Sequence, residues 1–278
     1  MNKQVTSLSS NYITCGMVGR LGNQMFQIAN AYAQSLRHNR QLALPSCDTS
    51  VSDYFENIHR KLDFSIMQSP SPSEGVHTIN ATYHYTEYKP HENMPTVFRG
   101  YFESEKYFKD YSEVIKQLFG PTETFINKAL KDYPQLNTGT NAVINVRRGD
   151  FLHFPTRHPV VTKDYLYKAI EMLPVVDTLF VVSDDIEWCK QNLKHPNIVF
   201  VEYIRHEALW FLSLCQNFVI SNSTFSWWGA YLSRVNKKIV IAPSTWFGPD
   251  IKEDTRDIVC DGWLKVPTKW EDGFIVLA

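Results

Sequence analysis

Two adjacent guanidiniums, Arg147 and Arg148, are followed at once by Gly149 and the carboxylate of Asp150. Planar guanidiniums fork onto phosphate oxygens through bidentate, charge-assisted hydrogen bonds. Further along, Ser183-Asp184-Asp185 offers paired carboxylates, and Ser221-Asn222-Ser223-Thr224-Phe225-Ser226 offers hydroxyls where a helix would begin. A helix start presents free N–H groups and the positive end of its dipole to an anion. A carboxylate such as Asp184 or Asp185 can accept hydrogen bonds from the N1–H and N2–H₂ edge of guanine. Together these groups suit a nucleoside diphosphate. Each also has a plainer reading. The arginines could form a solvated face, and the acidic pair or the Ser-Thr-Phe-Ser run could do no more than cap a helix. Trp227-Trp228 suits packing better than contact chemistry. Arg148-Gly149-Asp150 matches an integrin-binding tripeptide by letter only.

What is missing narrows the chemistry. The first loop, Gly16-Met-Val-Gly19-Arg-Leu-Gly22-Asn23-Gln24, is neither G-x-G-x-x-G nor G-x-x-x-x-G-K-[ST]. A nicotinamide fold and a P-loop NTPase are thereby disfavoured. Its glycines imply close backbone approach, by a ligand or by another segment. No Asp-x-Asp, H-E-x-x-H or clustered His/Cys set occurs anywhere in the chain. Enzymes that hold a diphosphate through a divalent metal need such carboxylates. The expectation is therefore no metal and no other cofactor, with Arg147 and Arg148 as the counter-charge of a leaving diphosphate.

The elements that must position these residues follow from hydrophobic periodicity. Tyr12–Met17 reads as a strand, followed by the glycine loop and then a helix carrying Met25, Ile28, Ala29, Tyr32, Ala33 and Leu36 at three- and four-residue intervals. Gln41–Pro45 and Thr96–Phe102 read as strands, and 105–118 and 122–132 as helices. Residues 46–95 are less regular, with Ser-Pro-Ser-Pro at 69–72 marking a loop. A break at Pro134–Thr140 sets the expected boundary between residues 1–138 and 139–278. Beyond it, strand candidates 142–146, 178–182, 198–202, 217–220 and 238–242 alternate with helical stretches near 163–173, 185–193, 206–215 and 225–234. Thr162 is placed to cap the first of these helices. Short apolar strands alternating with helices imply an α/β domain whose doubly wound parallel sheet is covered on both faces. Ligands of such sheets bind at the carboxyl ends of the strands, where the polar groups above fall.

Composition sets outer bounds. The 278 residues carry 28 Lys plus Arg against 29 Asp plus Glu, and 44% of them are hydrophobic. That balance disfavours bulk capture of nucleic acid or acidic membrane, and the apolar fraction excludes a disordered chain. No apolar run reaches the ~18–20 residues of a spanning helix. The polar opening lacks the apolar stretch of a secretory signal. Cys15, Cys47, Cys189, Cys215 and Cys260 are widely spaced without any C-x-x-C, which favours reduced, buried thiols and a cytoplasmic location. The sequons at Asn80 and Asn222 then read as chance matches.

Taken as a set, the motifs carry a family resemblance. Val18-Gly-Arg-Leu-Gly-Asn-Gln-Met-Phe-Gln27, Val146-Arg-Arg-Gly-Asp-Phe151, Ser183-Asp-Asp-Ile-Glu-Trp188 and Asn222-Ser-Thr-Phe-Ser-Trp-Trp-Gly229 stand in order along the chain, supported by Gly100–Phe108. The chain resembles glycosyltransferase family 11, the α-1,2-fucosyltransferases that use GDP-fucose. The resemblance implies a GT-B-like architecture of two Rossmann-like domains facing across a cleft, the first on the acceptor side and the second on the GDP-fucose side. It also implies inverting, metal-independent transfer to the 2-hydroxyl of a galactose-terminated oligosaccharide acceptor. On that footing Arg147, Arg148 and Asp150 are the expected catalytic residues. Gly22, Asn23, Gln24, Asn145, Asp184, Asp185, Asn222, Ser223, Thr224, Phe225 and Ser226 are the expected GDP-fucose contacts. Two positions depart from the family pattern: Asn145 stands for the usual histidine, and Phe151 for the usual tyrosine.

Inversion by one displacement needs a base for the acceptor proton. Asp150, His153 and Glu103 are candidates, and residues 46–95 are expected to shape the acceptor pocket. Other readings are a fucosyltransferase of different linkage, a non-catalytic carbohydrate- or nucleotide-binding module, and a nucleotide hydrolase. The module reading leaves the convergence of arginines with helix-start hydroxyls unexplained, and the hydrolase reading lacks a P-loop.

Overall fold

The computed structural model describes residues 10–45, 56–62 and 75–278. Packing divides the chain into two compact units: Met1–Leu118 with Glu253–Cys260, and Phe119–Lys252 with Asp261–Ala278.

In the first unit, β1 (Ile13–Cys15) leads into α1 (Leu21–Arg37), and β2 (His77–Asn80), β3 (Thr96–Arg99) and α2 (Ser112–Phe119) follow. The three strands form a parallel sheet in the order β1-β3-β2. The expected stripe of α1 is buried at Met25, Ile28, Ala29 and Ala33, while Leu36 lies exposed at the helix end. Gln41–Pro45, expected as a strand, is reduced to isolated bridges at Leu42, which runs parallel to Ile13, and at Pro45. The helix expected from 105 begins as two 3₁₀ turns, because Phe108 leaves helical geometry at φ −141° and interrupts the first turn. β2 lies in a stretch whose pattern signalled no strand. The Ser-Pro-Ser-Pro loop, Cys47 and much of the expected acceptor region fall outside the described residues. Cys15, Cys189, Cys215 and Cys260 are free and buried.

The second unit holds α3 (Glu123–Asp132), β4 (Asn141–Val146), β5 (Val160–Val161), α4 (Lys163–Glu171), β6 (Thr178–Ser183), α5 (Ile186–Asn192) and β7 (Ile198–Phe200). Then come α6 (Arg205–Leu214), β8 (Asn217–Ile220), α7 (Thr224–Leu232), β9 (Val240–Pro243), β10 (Leu264–Val266), β11 (Thr268–Glu271) and β12 (Phe274–Leu277). Six strands form a wholly parallel sheet in the order β10-β9-β8-β4-β6-β7. From β4 the chain adds β6 and β7 on one side, then crosses back to add β8, β9 and β10 on the other. The reversal between β4 and β8 is the switch point at which doubly wound sheets bind ligands.

Both faces of this sheet are covered, as its continuous apolar strands require. On one, Ala142, Ile144, Val146, Leu179 and Val181 pack with Tyr165, Leu166 and Ala169 of α4. On the other, Phe180 meets Phe211 edge-on at 5.1 Å and Tyr133 at 6.2 Å. Thr162 caps α4 by accepting from Tyr165 N–H, as expected. α7 lies close against α6, where a Cβ on Gly229 would stand 2.6 Å from Leu212 Cβ. The β11–β12 hairpin, which joins β5 in a third small sheet, carried no clear signal in the sequence.

Packing places the division between the units earlier than the expected 138/139. Helix α3 belongs with the second unit, since the Phe125 ring sits 5.4 Å from Trp210 of α6. The segment Glu253–Cys260 returns to the first unit, where Asp257 accepts Tyr85 N–H at 2.9 Å and pairs with Lys106 at 2.5 Å.

Candidate functional site

Strands β4 and β8 lie side by side, with Asn145 in register with Ile220, so their carboxyl ends open together at the switch point. Arg147-Arg148-Gly149-Asp150 leaves one end and Ser221-Asn222-Ser223 leaves the other. The neighbouring β6 contributes Ser183-Asp184-Asp185 from its own end. The sheet topology thus gathers three motifs that lie far apart in sequence.

The charges are interleaved. Arg147 Nη1 pairs with Asp184 Oδ2 at 2.8 Å, and its Nη2 pairs with Asp150. Its guanidinium lies 5.2 Å from the centre of the Phe151 ring. Arg148 Nε donates to Asp185 Oδ2 at 3.0 Å, and its guanidinium covers the Trp188 ring at 3.9 Å, within cation–π range. Arg148 N–H donates to Asp184 Oδ1 at 2.9 Å. Asp185 also caps α5 by accepting Trp188 N–H, so the plainer reading of this residue describes part of what it does. Both members of the acidic pair are engaged with the guanidiniums.

Beneath the charges lies a buried polar network. Asn145 Nδ2 donates to Val182 O at 3.1 Å, while its Oδ1 accepts from Ser226 Oγ, which also lies 3.2 Å from Ser221 Oγ. The asparagine thereby ties β4 to β6 and to the first turn of α7. Asn222 Nδ2 donates to the carbonyls of Pro159 and Trp246 at 3.0 and 2.9 Å, while its buried Oδ1 has no partner. Ser223 is the N-cap of α7, its side chain making no capping bond, and the half-buried Thr224 and Phe225 follow. Trp227 and Trp228 are fully buried and pack edge-on at 5.0 Å, which agrees with their packing role.

His158 stacks on Phe151 at 5.0 Å and touches Phe247 at 5.8 Å. Burial holds its imidazole below the usual range, helped by Arg157 and Arg147 and opposed by Asp150. His153 is exposed at the end of the 3₁₀ turn Gly149–His153. His158 was not singled out in the sequence, and Trp188 stood there only as the end of a motif, with no role assigned. For Trp188 a signal existed, because it stands three residues after Asp185 on a helix, the spacing of same-face neighbours.

The remaining expected residues belong to the first unit. Gly22 is buried in the first turn of α1, with Asn23 and Gln24 half-buried beside it. Gln24 Nε2 donates to Gly19 O at 3.1 Å, and its buried Oε1 has no partner. Gly19 has φ +75°, a left-handed backbone that favours glycine, and a Cβ there would also stand 2.5 Å from Asn23 Nδ2. The loop is held from α1 by Gln27, which accepts Val18 N–H at 3.0 Å and donates to Val18 O at 3.1 Å. Glu103, three per cent exposed, keeps a buried Oε2 without a partner, and burial pushes its pKa up to about 8.

Among the described residues no group of three or more His, Cys, Asp or Glu is arranged to hold a metal ion. No described helix is long and apolar enough to cross a membrane.

The family model described as Glycosyl transferase family 11 matches residues 1–266. An alpha-1,2-colitosyltransferase of Escherichia coli is 29% identical, over 91% of this chain and 98% of that protein. Galactoside alpha-(1,2)-fucosyltransferase 2 of Gorilla gorilla gorilla is 26% identical, over 79% of this chain and 68% of that protein. Among solved structures, NodZ alpha-1,6-fucosyltransferase co-crystallized with GDP aligns at a TM-score of 0.50 and 15% identity, over 83% of this chain and 95% of that one. The fold is α/β and GT-B-like.

Proposed function

The chain belongs to glycosyltransferase family 11, and from that premise we propose that it moves L-fucose from GDP-fucose to the 2-hydroxyl of a terminal β-galactoside. The observation that carries the proposal is that the Arg147-Arg148 loop and the hydroxyl-rich start of α7 leave the carboxyl ends of neighbouring strands, β4 and β8, at the switch point of the sheet. The names of the related transferases and the GDP held by NodZ support the donor.

The mechanism follows from charge. As the acceptor oxygen attacks the anomeric carbon, the bond to GDP breaks and negative charge grows on the diphosphate. Arg147 and Arg148 bind that charge more strongly than they bind the intact donor, which lowers the barrier. The α7 N–H groups, with Ser223 and Thr224 beside them, receive the remaining phosphate oxygens. Asn145 and Ser226 brace this helix start from below. No metal or other cofactor enters the proposal, because the cationic pair does that work. Asp150, half-buried beside Arg147, is the base candidate placed among the donor residues.

A second donor is favoured by the match to an alpha-1,2-colitosyltransferase. Colitose is L-fucose without its 3-hydroxyl, so one pocket can accept both sugars unless a group specifically reads that hydroxyl. The deciding experiment supplies GDP-fucose or GDP-colitose with a panel of galactosides, follows GDP release, and determines the product linkage. GDP release that depends on acceptor, gives an α-1,2 product and persists in EDTA is the expected result. Donor binding without release would make the protein a binding module, and arrest by EDTA would remove the arginines as counter-charge.

A further inference from the structure

The proposed donor site holds an apparent contradiction: its best phosphate-binding group is flanked by carboxylates. Asp184 stands against Arg147 at 2.8 Å, although an anion beside a phosphate repels it. A plain phosphate receptor would leave that guanidinium to the ligand. Both oxygens of Asp184 are nevertheless committed here. Oδ2 takes the Arg147 side chain and Oδ1 takes the Arg148 backbone N–H. The carboxylate therefore grips the same short loop at two points, one on the side chain and one on the main chain.

The space for this grip is made by Gly149. A Cβ at that position would stand 2.3 Å from Asp184 Oδ2 and 3.1 Å from its Cγ. Gly149 has no left-handed backbone to explain it, as it is not among the residues with positive φ. The absence of a side chain is what the site uses.

We propose that Asp184 is a positioning residue for Arg147, holding its guanidinium in the orientation that meets charge growing on the leaving diphosphate, with Gly149 providing the gap through which it reaches. This inference rests on the GDP-sugar reading above and replaces, for Asp184, the expected contact with guanine. Holding a flexible arginine at one angle removes motion that would otherwise be lost as the transition state forms. The repulsion that Asp184 exerts is already felt by the intact donor and grows as the diphosphate leaves, whereas the gain in orientation falls on the transition state, where it must exceed that growth. The two effects therefore separate in kinetics.

The test uses the full chain and compares Asp184→Asn, Gly149→Ala and the double variant with wild type. Affinity for intact GDP-fucose is measured by calorimetry without acceptor, and turnover by GDP release. Asp184→Asn keeps the shape and removes the charge, so kcat is expected to fall on the order of 10- to 100-fold. Affinity for the intact donor is expected to stay the same or tighten, because an anion has gone. Gly149→Ala retains Asp184 but displaces it, and is expected to show the same split. The double variant should be no worse than Asp184→Asn alone, because both changes break one contact. A structural role would instead reduce the folded fraction and leave the kcat of the folded molecules unchanged. Asp184→Asn with normal kcat overturns the proposal, and if affinity for the intact donor is lost at that normal kcat, Asp184 returns to nucleotide recognition. Wild-type protein that binds no GDP overturns the donor reading, and this inference with it.

Discussion

Replacing Glu103 by Gln gives a stability change that depends on pH in a calculable way. The carboxyl is buried, with its Oε2 unpartnered, and burial raises its pKa from 4.5 to about 8. Between those values the unfolded chain releases a proton that the folded chain retains. Folding then binds protons, and stability falls as pH rises. The slope is about 1.4 kcal/mol per pH unit at its steepest, so the whole interval amounts to about 5 kcal/mol. The loss is absent below the unfolded pKa and complete above the folded one. Glutamine has the shape of the protonated acid and does not titrate. The variant should match wild type near pH 4.5 and exceed it increasingly up to pH 8, where the gap is of the order of a domain's entire stability. Urea unfolding of both proteins from pH 5 to 8.5, with the midpoint and slope fitted at each pH, measures the difference. Other titrating groups cancel in that comparison. His59, which burial holds at about 4, destabilises both proteins equally as pH falls below 6.5. A difference between the two proteins that stays constant across the range would refute the reasoning, because it would show that Glu103 ionises normally inside the fold.

Arg147→Ala should lower turnover by roughly 10²–10³-fold or more without changing the circular dichroism spectrum, and Arg147→Lys should recover only part of it, since an ammonium lacks the planar fork. Near-normal turnover in the alanine variant would remove Arg147 from the chemistry. Gly229→Ala brings a methyl to 2.6 Å from Leu212 Cβ and should destabilise the second unit by about 1–3 kcal/mol, read as a lowered unfolding midpoint in calorimetry. Gln27→Ala removes two hydrogen bonds to the backbone of Val18 and should cost about 2 kcal/mol, with faster proteolytic nicking between Gly16 and Leu21; unchanged nicking would mean that the loop is held by something else.

The doubly wound sheet was legible because its strands are short and apolar on both faces and alternate with amphipathic helices. Strands β4, β6 and β8 begin and end within a residue of their expected limits. Other elements were not legible, for identifiable reasons. β5 has two residues and β10 three, too few for a period of two to register. The division between the units was read at a Pro- and Gly-containing break, whereas packing set it earlier, through the contact of Phe125 with Trp210. Spacing along the chain carries no trace of such a long-range aromatic contact.

The site shows the same partition. Sequence alone determined which groups stand at the strand ends: the guanidiniums of Arg147 and Arg148, the acids at 184 and 185, and the hydroxyls at 223, 224 and 226. It did so because a parallel strand delivers the residues that follow it to one rim. Tertiary structure alone decided what those groups face. Asp184 reaches Arg147 across 37 positions of chain because β6 lies next to β4, and it fits because Gly149 is bare. Asn145 finds Ser226 across 81 positions because β8 delivers α7 beside it. Local periodicity encodes where each element begins and ends, but partners across a sheet are chosen by strand order, which only the folded chain possesses.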